Sequence, residues 1–290
     1  MYRTDGYRVR TNDAMYELVP HIMPKRYDAS NSIMQQIDLA PLQDYIRKKR
    51  RQGISINHMS IIIAAYLRVV SQNPYLNRFC MNKKIYARNH FCVSFVTLTP
   101  GKESDTVTKL YFNLDDTLFD VNTKVQAAIE RIQNPDAENP LDKLMASLLR
   151  VPFLVTAAVD ILKLLDRFFT LPFSVVDASP FHTSLFVTNL ASIRTNTIYH
   201  HLYEFGTTGV FVSMGQPRKI AVPNGETTEE RKIMELGIVT DERIANGHYY
   251  GRCFREVSQY FRNPELLETK PESIAQDPHI HKKDPKWIVK

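Results

Sequence analysis

A hairpin signal in the C-terminal half of the chain constrains the fold most strongly. Asn224-Gly225 separates two arms of strand-forming residues, 217–222 and 231–240. An Asn-Gly pair favours the tight turn that joins antiparallel strands, because both residues tolerate a positive φ. Elsewhere, helical and strand patterns follow one another without a strict β-α-β rhythm. The chain is therefore predicted to be α/β (α+β), with a mixed sheet and helices on one or both sides.

Periodicity and capping residues predict the other elements. Apolar residues recur at helical spacing from Asn57 to Val70, and a further helix is predicted to begin at Pro41 and to end at Gly53. Residues 1–32 are expected to be extended, and 199–205 to be a short helix or irregular. Strands are predicted at 33–39, 84–87, 91–98, 111–114, 183–188 and 209–214, and helices at 123–133 and 247–262.

Composition limits the class of protein. Of the 290 residues, 43% are hydrophobic and 23% are charged, which is typical of a globular protein with a large core. The net charge of +6 is modest, and one basic cluster at 47–51 is typical of a solvated helix end, although it could also meet the phosphates of a cofactor. We expect no nucleic-acid partner. Three scattered cysteines and an N-terminus without an apolar core favour a cytoplasmic protein.

The segment 144–173 is very apolar and raises the question of a membrane. Its longest uncharged stretch, 151–159, is about half of the ~20 residues that a spanning helix needs. We interpret the segment as amphipathic helices that Pro152 interrupts. Contact with a membrane surface through 140–173 is an alternative role for them.

Five short motifs, in chain order, resemble one known family. They are Asn73-Pro74-Tyr75-Leu76-Asn77, Phe186-Val187-Thr188-Asn189-Leu190, Val210-Phe211-Val212-Ser213-Met214-Gly215, Asp241-Glu242-Arg243-Ile244-Ala245-Asn246-Gly247, and Asn263-Pro264-Glu265-Leu266-Leu267. Together they resemble the catalytic domain of 2-oxoacid dehydrogenase acyltransferases and, more distantly, chloramphenicol acetyltransferase. The resemblance covers about 15–268, except for roughly 135–180.

The resemblance implies a chloramphenicol acetyltransferase-like two-layer fold. We expect a single domain over 1–268, apolar helices inserted at 135–180, and an extended C-terminal tail at 269–290. It also implies a homotrimer with active sites at subunit boundaries, coenzyme A or acyl-coenzyme A as a substrate, and a small-molecule acyl acceptor. No metal and no lipoyl domain are expected in this chain.

The resemblance also implies roles for individual residues. Thr188 stands where the family has a hydroxyl that donates a hydrogen bond to the oxyanion. Glu242 stands where the family has a histidine base, and Asn246 where it has an aspartate that forms an ion pair. A carboxylate with a pKa near ~4.3 is a weak base toward a thiol of pKa ~8.5, unless burial raises the carboxylate pKa.

Other interpretations of these positions stay open. Glu242 could instead pair with Arg243 or another cation, and Thr188 could be an ordinary strand residue. Among the histidines, His200, His201 and His248 are candidates for a substitute base. The sequence therefore predicts transfer of an acyl group between coenzyme A and a thiol or hydroxyl. The alternative is a non-catalytic homologue that acts as a trimeric binding or assembly protein.

Overall fold

The structure is a computed structural model. It describes residues 3–11, 13–98, 105–133, 152–225, 227–282 and 285–288. The strands are β1 (Gly6–Arg8), β2 (Ser30–Asp38), β3 (Arg78–Met81), β4 (Lys84–Arg88), β5 (Phe91–Leu98), β6 (Asp105–Phe112), β7 (Leu185–Asn189), β8 (Val210–Met214), β9 (Arg218–Asn224) and β10 (Thr227–Asp241). The helices are α1 (Ala14–Ile22), α2 (Leu39–Arg51), α3 (His58–Gln72), α4 (Leu118–Gln133), α5 (Pro152–Phe168), α6 (Phe173–Ala178) and α7 (Gly247–Arg262).

A seven-stranded mixed sheet forms the centre of the fold. Its order is β2-β10-β8-β7-β5-β6, and β9 pairs with the first half of β10. β7 is parallel to both β5 and β8, whereas the other pairs are antiparallel. β1, β4 and β3 form a second, antiparallel sheet. The predicted mixed sheet and the α/β class are confirmed, and the β9–β10 hairpin turns at Gly225, whose φ is 62°.

The two faces of the large sheet have different partners. One face presents residues such as Leu185, Val187 and Val212 to the main hydrophobic core, which α2, α3 and α7 complete. Side chains alternate along a strand, so Phe186 and Phe211 lie on the opposite face. There they pack against Leu202 in a smaller cluster. Helices α2, α3 and α7 therefore cover one face. The other face is covered by a loop over Phe211 and by α6 beside β6, where Lys109 donates to the Val176 carbonyl at 2.9 Å.

Some boundaries differ from those that the sequence predicts. The interpretation of 1–32 as extended is wrong over α1, whose first turn is capped by the carboxylate of Asp13. α2 begins at Leu39 rather than at Pro41, because the Asp38 carboxylate accepts from the Ala40 amide at 2.9 Å. Pro152 does not interrupt a helix but opens α5, at the position where its missing N–H costs nothing.

Two predicted segments have particular outcomes. Residues 135–151 of the predicted insertion lie outside the described residues, and the rest of that segment contains α5 and α6. In the C-terminal tail, Asp277 accepts two hydrogen bonds from Arg78, at 2.6 and 2.8 Å, with both side chains buried. Among the described residues, no helix is long and apolar enough to cross a membrane.

Candidate functional site

The C-terminal end of β7 carries Thr188. This strand lies between β5 and β8, where Thr188 pairs with Val96 on one side and with Ser213 on the other. Alternation along the strand places the Thr188 side chain on the same face as Phe186, away from the main core. The side chain is half-buried, and its hydroxyl makes no hydrogen bond to a described residue. The hydroxyl is therefore available to a ligand on this face.

The loop 194–205 crosses this same face and is irregular, one of the two conformations expected for 199–205. Thr197 Oγ1 accepts from the amide of Gly237 at 2.9 Å and lies 2.9 Å from Ser213 Oγ. A Cβ at position 237 would lie 2.1 Å from the carbonyl oxygen of Ile198. Glycine therefore allows the loop to rest directly on the sheet. Sequence reasoning missed Thr197 and Ser213, because single hydroxyls in a loop and a strand carry no periodic signal.

His200 lies flat on the sheet. Its ring stacks on Phe211, with centroids 4.0 Å apart and planes at 4°. Nδ1 lies 2.9 Å from the carbonyl oxygen of His201, and because a carbonyl oxygen only accepts, Nδ1 carries the proton and Nε2 the lone pair. Burial lowers the pKa of His200, so the imidazole is neutral at pH 7. His201 is exposed, with its ring 4.4 Å from that of His200.

His200 and Thr188 share one region of the sheet. Thr188 is one strand across and two residues along from Phe211, which corresponds to roughly 8 Å between their Cα atoms. The neutral imidazole and the uncommitted hydroxyl therefore lie on the same face of the sheet, and no hydrogen bond joins them.

Glu242 follows the last residue of β10. Its amide donates to the carbonyl of Ala29 at 2.8 Å, which fixes the turn, and its side chain is half-buried. The hypothesis that Glu242 pairs with Arg243 is wrong. Arg243 instead donates to the buried carboxylate of Asp241, from Nε at 2.8 Å and from Nη2 at 2.7 Å. Among the described residues, Glu242 has no ion-pair partner, so its carboxylate is free to meet a ligand or another subunit.

Asn246 begins α7 as its cap. Its side-chain oxygen accepts from the amide of Tyr249 at 2.9 Å. The expected ion pair is therefore replaced by a helix cap, a role for which asparagine is among the preferred residues. His248 lies in the first turn of α7 and is exposed, as its place after Gly247 predicts.

Strand register separates the six candidate residues into two groups. Thr188 is level with Ser213, and Ser213 is level with Gly237 of β10. Glu242 lies five residues beyond Gly237, which at about 3.4 Å per residue is ~17 Å further along the sheet. Within one protomer, Thr188, His200 and His201 therefore lie near one end of the sheet. Glu242, Asn246 and His248 lie at the other.

A cavity of about 530 Å³ lies apart from both groups. The tail supplies Trp287 and Ile280 to its wall, β4 supplies Ala87, and α3 supplies Val70. None of the six candidate residues lines it. Among the described residues, no cluster of three His, Cys, Asp or Glu side chains is arranged to hold a metal ion.

Comparison with known proteins identifies the fold. No family model matches the sequence, and no curated protein matches it significantly. Among solved structures, a probable dihydrolipoamide acetyltransferase from Listeria monocytogenes is similar over 92% of this chain and 97% of its own, with a TM-score of 0.57 and 12% identity. Chloramphenicol acetyltransferase is similar over 88% and 99%, with a TM-score of 0.52 and 8% identity.

A third solved structure is also similar in fold. The dihydrolipoamide acetyltransferase of Azotobacter vinelandii is similar over 87% of each chain, with a TM-score of 0.57 and 11% identity. It was solved to investigate the role of a serine, a histidine and an asparagine in its catalytic mechanism, the last two being four residues apart. The chain therefore has the fold shared by 2-oxoacid dehydrogenase acyltransferase cores and chloramphenicol acetyltransferase, as its motifs predict.

Proposed function

We propose that the protein is a coenzyme A-dependent acyltransferase that works as a homotrimer. Each site would lie between two protomers, with Thr188 supplied by one and Glu242 by the next. The ~17 Å between these residues along one sheet carries the proposal, because a site that uses both needs two chains. The similarity to acetyltransferase structures over most of the chain supports the reaction class.

The reaction moves one acyl group and one proton. A base takes the proton from the acceptor thiol or hydroxyl while the acceptor attacks the thioester carbonyl. The Thr188 hydroxyl donates a hydrogen bond to the oxyanion that forms, and this kind of donor contributes about 10²–10³ in rate. The intermediate then expels the coenzyme A thiolate, and the base transfers the acceptor's proton to this thiolate. No oxidant, reductant or metal enters this balance.

Glu242 is the base in this proposal. In the Azotobacter vinelandii enzyme, the histidine and asparagine under study are four residues apart, the spacing of Glu242 and Asn246 here. A carboxylate is a weaker base than an imidazole toward a thiol. Glu242 would therefore support slower turnover than a histidine at the same position.

Steady-state release of free coenzyme A tests the proposal. The assay supplies acetyl-coenzyme A, a panel of small thiols and alcohols as acceptors, and a thiol-detecting dye that is added after quenching. Glu242→Gln is expected to lower the rate by about 10²–10⁴-fold, and Glu242→His to raise it, because its pKa is nearer to working pH. Glu230→Gln is the matched control, since Glu230 lies exposed on β10 far from the turn. Turnover that survives Glu242→Gln and falls with His200→Gln would assign the base to His200 instead.

The carboxylate of Glu242 also favours a second candidate function, because a carboxylate is a weak base. If Glu242 cannot act as a base, the trimer would bind coenzyme A or a related ligand without turnover and act in binding or assembly. Calorimetry distinguishes the two functions: coenzyme A binding without release across the acceptor panel supports the binding protein. Absence of both binding and turnover contradicts the acyltransferase proposal.

A further inference from the structure

The outward face of α5 exposes large apolar side chains. Phe153, Ile161, Leu164 and Phe168 are 69%, 56%, 54% and 52% exposed, and their spacing places them on one stripe of the helix. Phe169, directly after α5, is 60% exposed. Scattered exposed apolar residues need no explanation, but a continuous apolar stripe marks a contact surface. These five residues are called the apolar stripe below.

The inward face of α5 fixes the orientation of the stripe. Asp166 of α5 is buried, and it binds Arg3 at 2.9 Å and His182 Nε2 at 3.0 Å. Arg3 Nη1 also donates to the Asp166 carbonyl at 3.1 Å. These contacts hold the helix by one side, so the stripe on the other side stays directed outward.

A basic cleft lies beside the stripe. It has a volume of about 300 Å³ and is lined by Lys25 and Lys83 from neighbouring turns and by Lys163 and Arg167 from α5. Lys163 contacts the exposed Asp160, whereas the other three cations have no ion-pair partner among the described residues. At 100° per residue, Lys163 and Arg167 flank the apolar stripe on the helix side that lines the cleft.

The interior of the cleft adds a buried cation. Arg26 is 3% exposed and lines the cleft, and its Nε makes no hydrogen bond to a described residue. The nearest carboxylate oxygen, of Asp241, is 3.8 Å from this atom. Two acidic side chains line the cleft, but Asp166 is bound to Arg3, and Glu204 accepts from the Arg26 amide at 2.9 Å. The cleft therefore retains an excess of positive charge.

We propose that the apolar stripe and the basic cleft together bind the surface of a bilayer that contains anionic phospholipid. A headgroup phosphate lies in the cleft, and the stripe enters the boundary between headgroups and acyl chains to a depth of about 5–10 Å. Charge complementarity selects this occupant. A second copy of the chain, packed stripe against stripe, would bring like charges at Lys163 and Arg167 together. This inference does not depend on the proposed acyltransferase activity.

Vesicle co-sedimentation tests the docking surface. The full chain is mixed with vesicles of phosphatidylcholine and phosphatidylserine, or of phosphatidylcholine alone, at low and high salt. Binding is expected only with phosphatidylserine and is expected to weaken as salt rises. Lys163→Ala with Arg167→Ala is expected to weaken binding about 25-fold, from about fivefold per cation. Ile161→Ser with Leu164→Ser is expected to weaken it by about tenfold or more.

Matched controls lie on other faces of the molecule. Lys48→Ala with Arg50→Ala removes two exposed cations at the end of α2, and Leu266→Ser removes one exposed apolar side chain. Neither is expected to change binding. The melting temperature of each variant checks that it is folded. If the apolar variants do not fold, the variants of Lys163 and Arg167 still test the inference.

Three results would overturn the inference. One is equal binding to both vesicle compositions or to neither. Another is binding of glycerophosphoserine as tight as that of vesicles, which would make the cleft a site for a soluble phosphate. The last is self-association without vesicles that Ile161→Ser with Leu164→Ser abolishes, because the stripe would then join two copies of the chain.

Discussion

Mixed trimers offer a direct test of a site shared between protomers. Thr188→Ala removes the proposed oxyanion donor, and Glu242→Gln removes the proposed base. Each variant alone is expected to lose about 10²-fold or more in rate. In a trimer that contains both variants, however, a Glu242→Gln protomer still supplies Thr188, and an adjacent Thr188→Ala protomer still supplies Glu242. Such a pair forms one complete site.

The expected recovery of activity depends on the distance between the two residues and on the composition of the trimers. Because Thr188 and Glu242 lie ~17 Å apart along one sheet, no single protomer can form the site. In every trimer that contains both variants, one of the three boundaries joins an intact Thr188 to an intact Glu242, so about one third of the sites are complete. These trimers should therefore regain about one third of wild-type activity, well above the ~1% expected of either parent.

Co-expression of the two variants with different affinity tags provides the material. Trimers that carry both tags are purified, and coenzyme A release is measured with the acceptor on which wild type is active. Trimers assembled from two differently tagged Glu242→Gln chains are the control, because none of their boundaries holds an intact Glu242. Activity of the Thr188→Ala and Glu242→Gln mixture no higher than that of its parents would refute the shared site.

Three further outcomes are expected of single variants compared with wild type. Gly237→Ala places a Cβ 2.1 Å from the Ile198 carbonyl oxygen, so it should displace the loop 194–205. The expected result is slower turnover, measured as the release of coenzyme A. Asp241→Asn leaves Arg243 without its buried carboxylate and should lower the free energy of unfolding in urea by about 3–5 kcal/mol. Burial lowers the pKa of His182, so the unfolded chain binds the proton first, and stability is lost as pH falls below ~6.5. His182→Gln should flatten that loss in melting curves recorded between pH 7 and 5; an unchanged slope would contradict it.

The sequence predicts those elements whose signal is local. Asn57 caps α3 by accepting from the Ser60 amide at 2.7 Å, and the apolar residues that follow form the buried interior of the helix. The β9–β10 hairpin also turns at Gly225, directly after Asn224, the last residue of β9. In these segments, propensity, capping and hydrophobic period all favour one conformation. Motifs in these and neighbouring segments, taken in chain order, identify the fold although the similar solved structures are 12% identical to this chain or less.

Local signals fail where a distant contact decides the structure. α1 buries only Pro20, but its Glu17 accepts from the Thr11 amide and pairs with Arg8 of β1. Pro152 is compatible with a helix start and with a helix break, and only the presence of α5 after it decides between them. The tail likewise gives no periodic signal, because the buried ion pair between Arg78 and Asp277 holds it rather than an apolar face.

The candidate site also depends on distant contacts that local sequence signals do not reveal. The motifs predict that Thr188 and Glu242 take part in the site, but only strand register places them at opposite ends of the sheet. Local pairing also misled the sequence reasoning about Arg243. Its neighbour Asp241 is 1% exposed at the end of β10, where an unpaired carboxylate would be costly, so it takes the guanidinium.

That ion pair changes the prediction for Glu242. A glutamate bound to an adjacent arginine would have a structural role, with no role left in chemistry. Asp241 satisfies Arg243 instead, and Asn246 caps α7, so the turn is complete without the Glu242 side chain. The half-buried carboxylate of Glu242 therefore has no role in the fold of its own protomer and is available to a group on another chain. Because Thr188 at the far end of the sheet is uncommitted too, contact between protomers is the arrangement that would employ both groups.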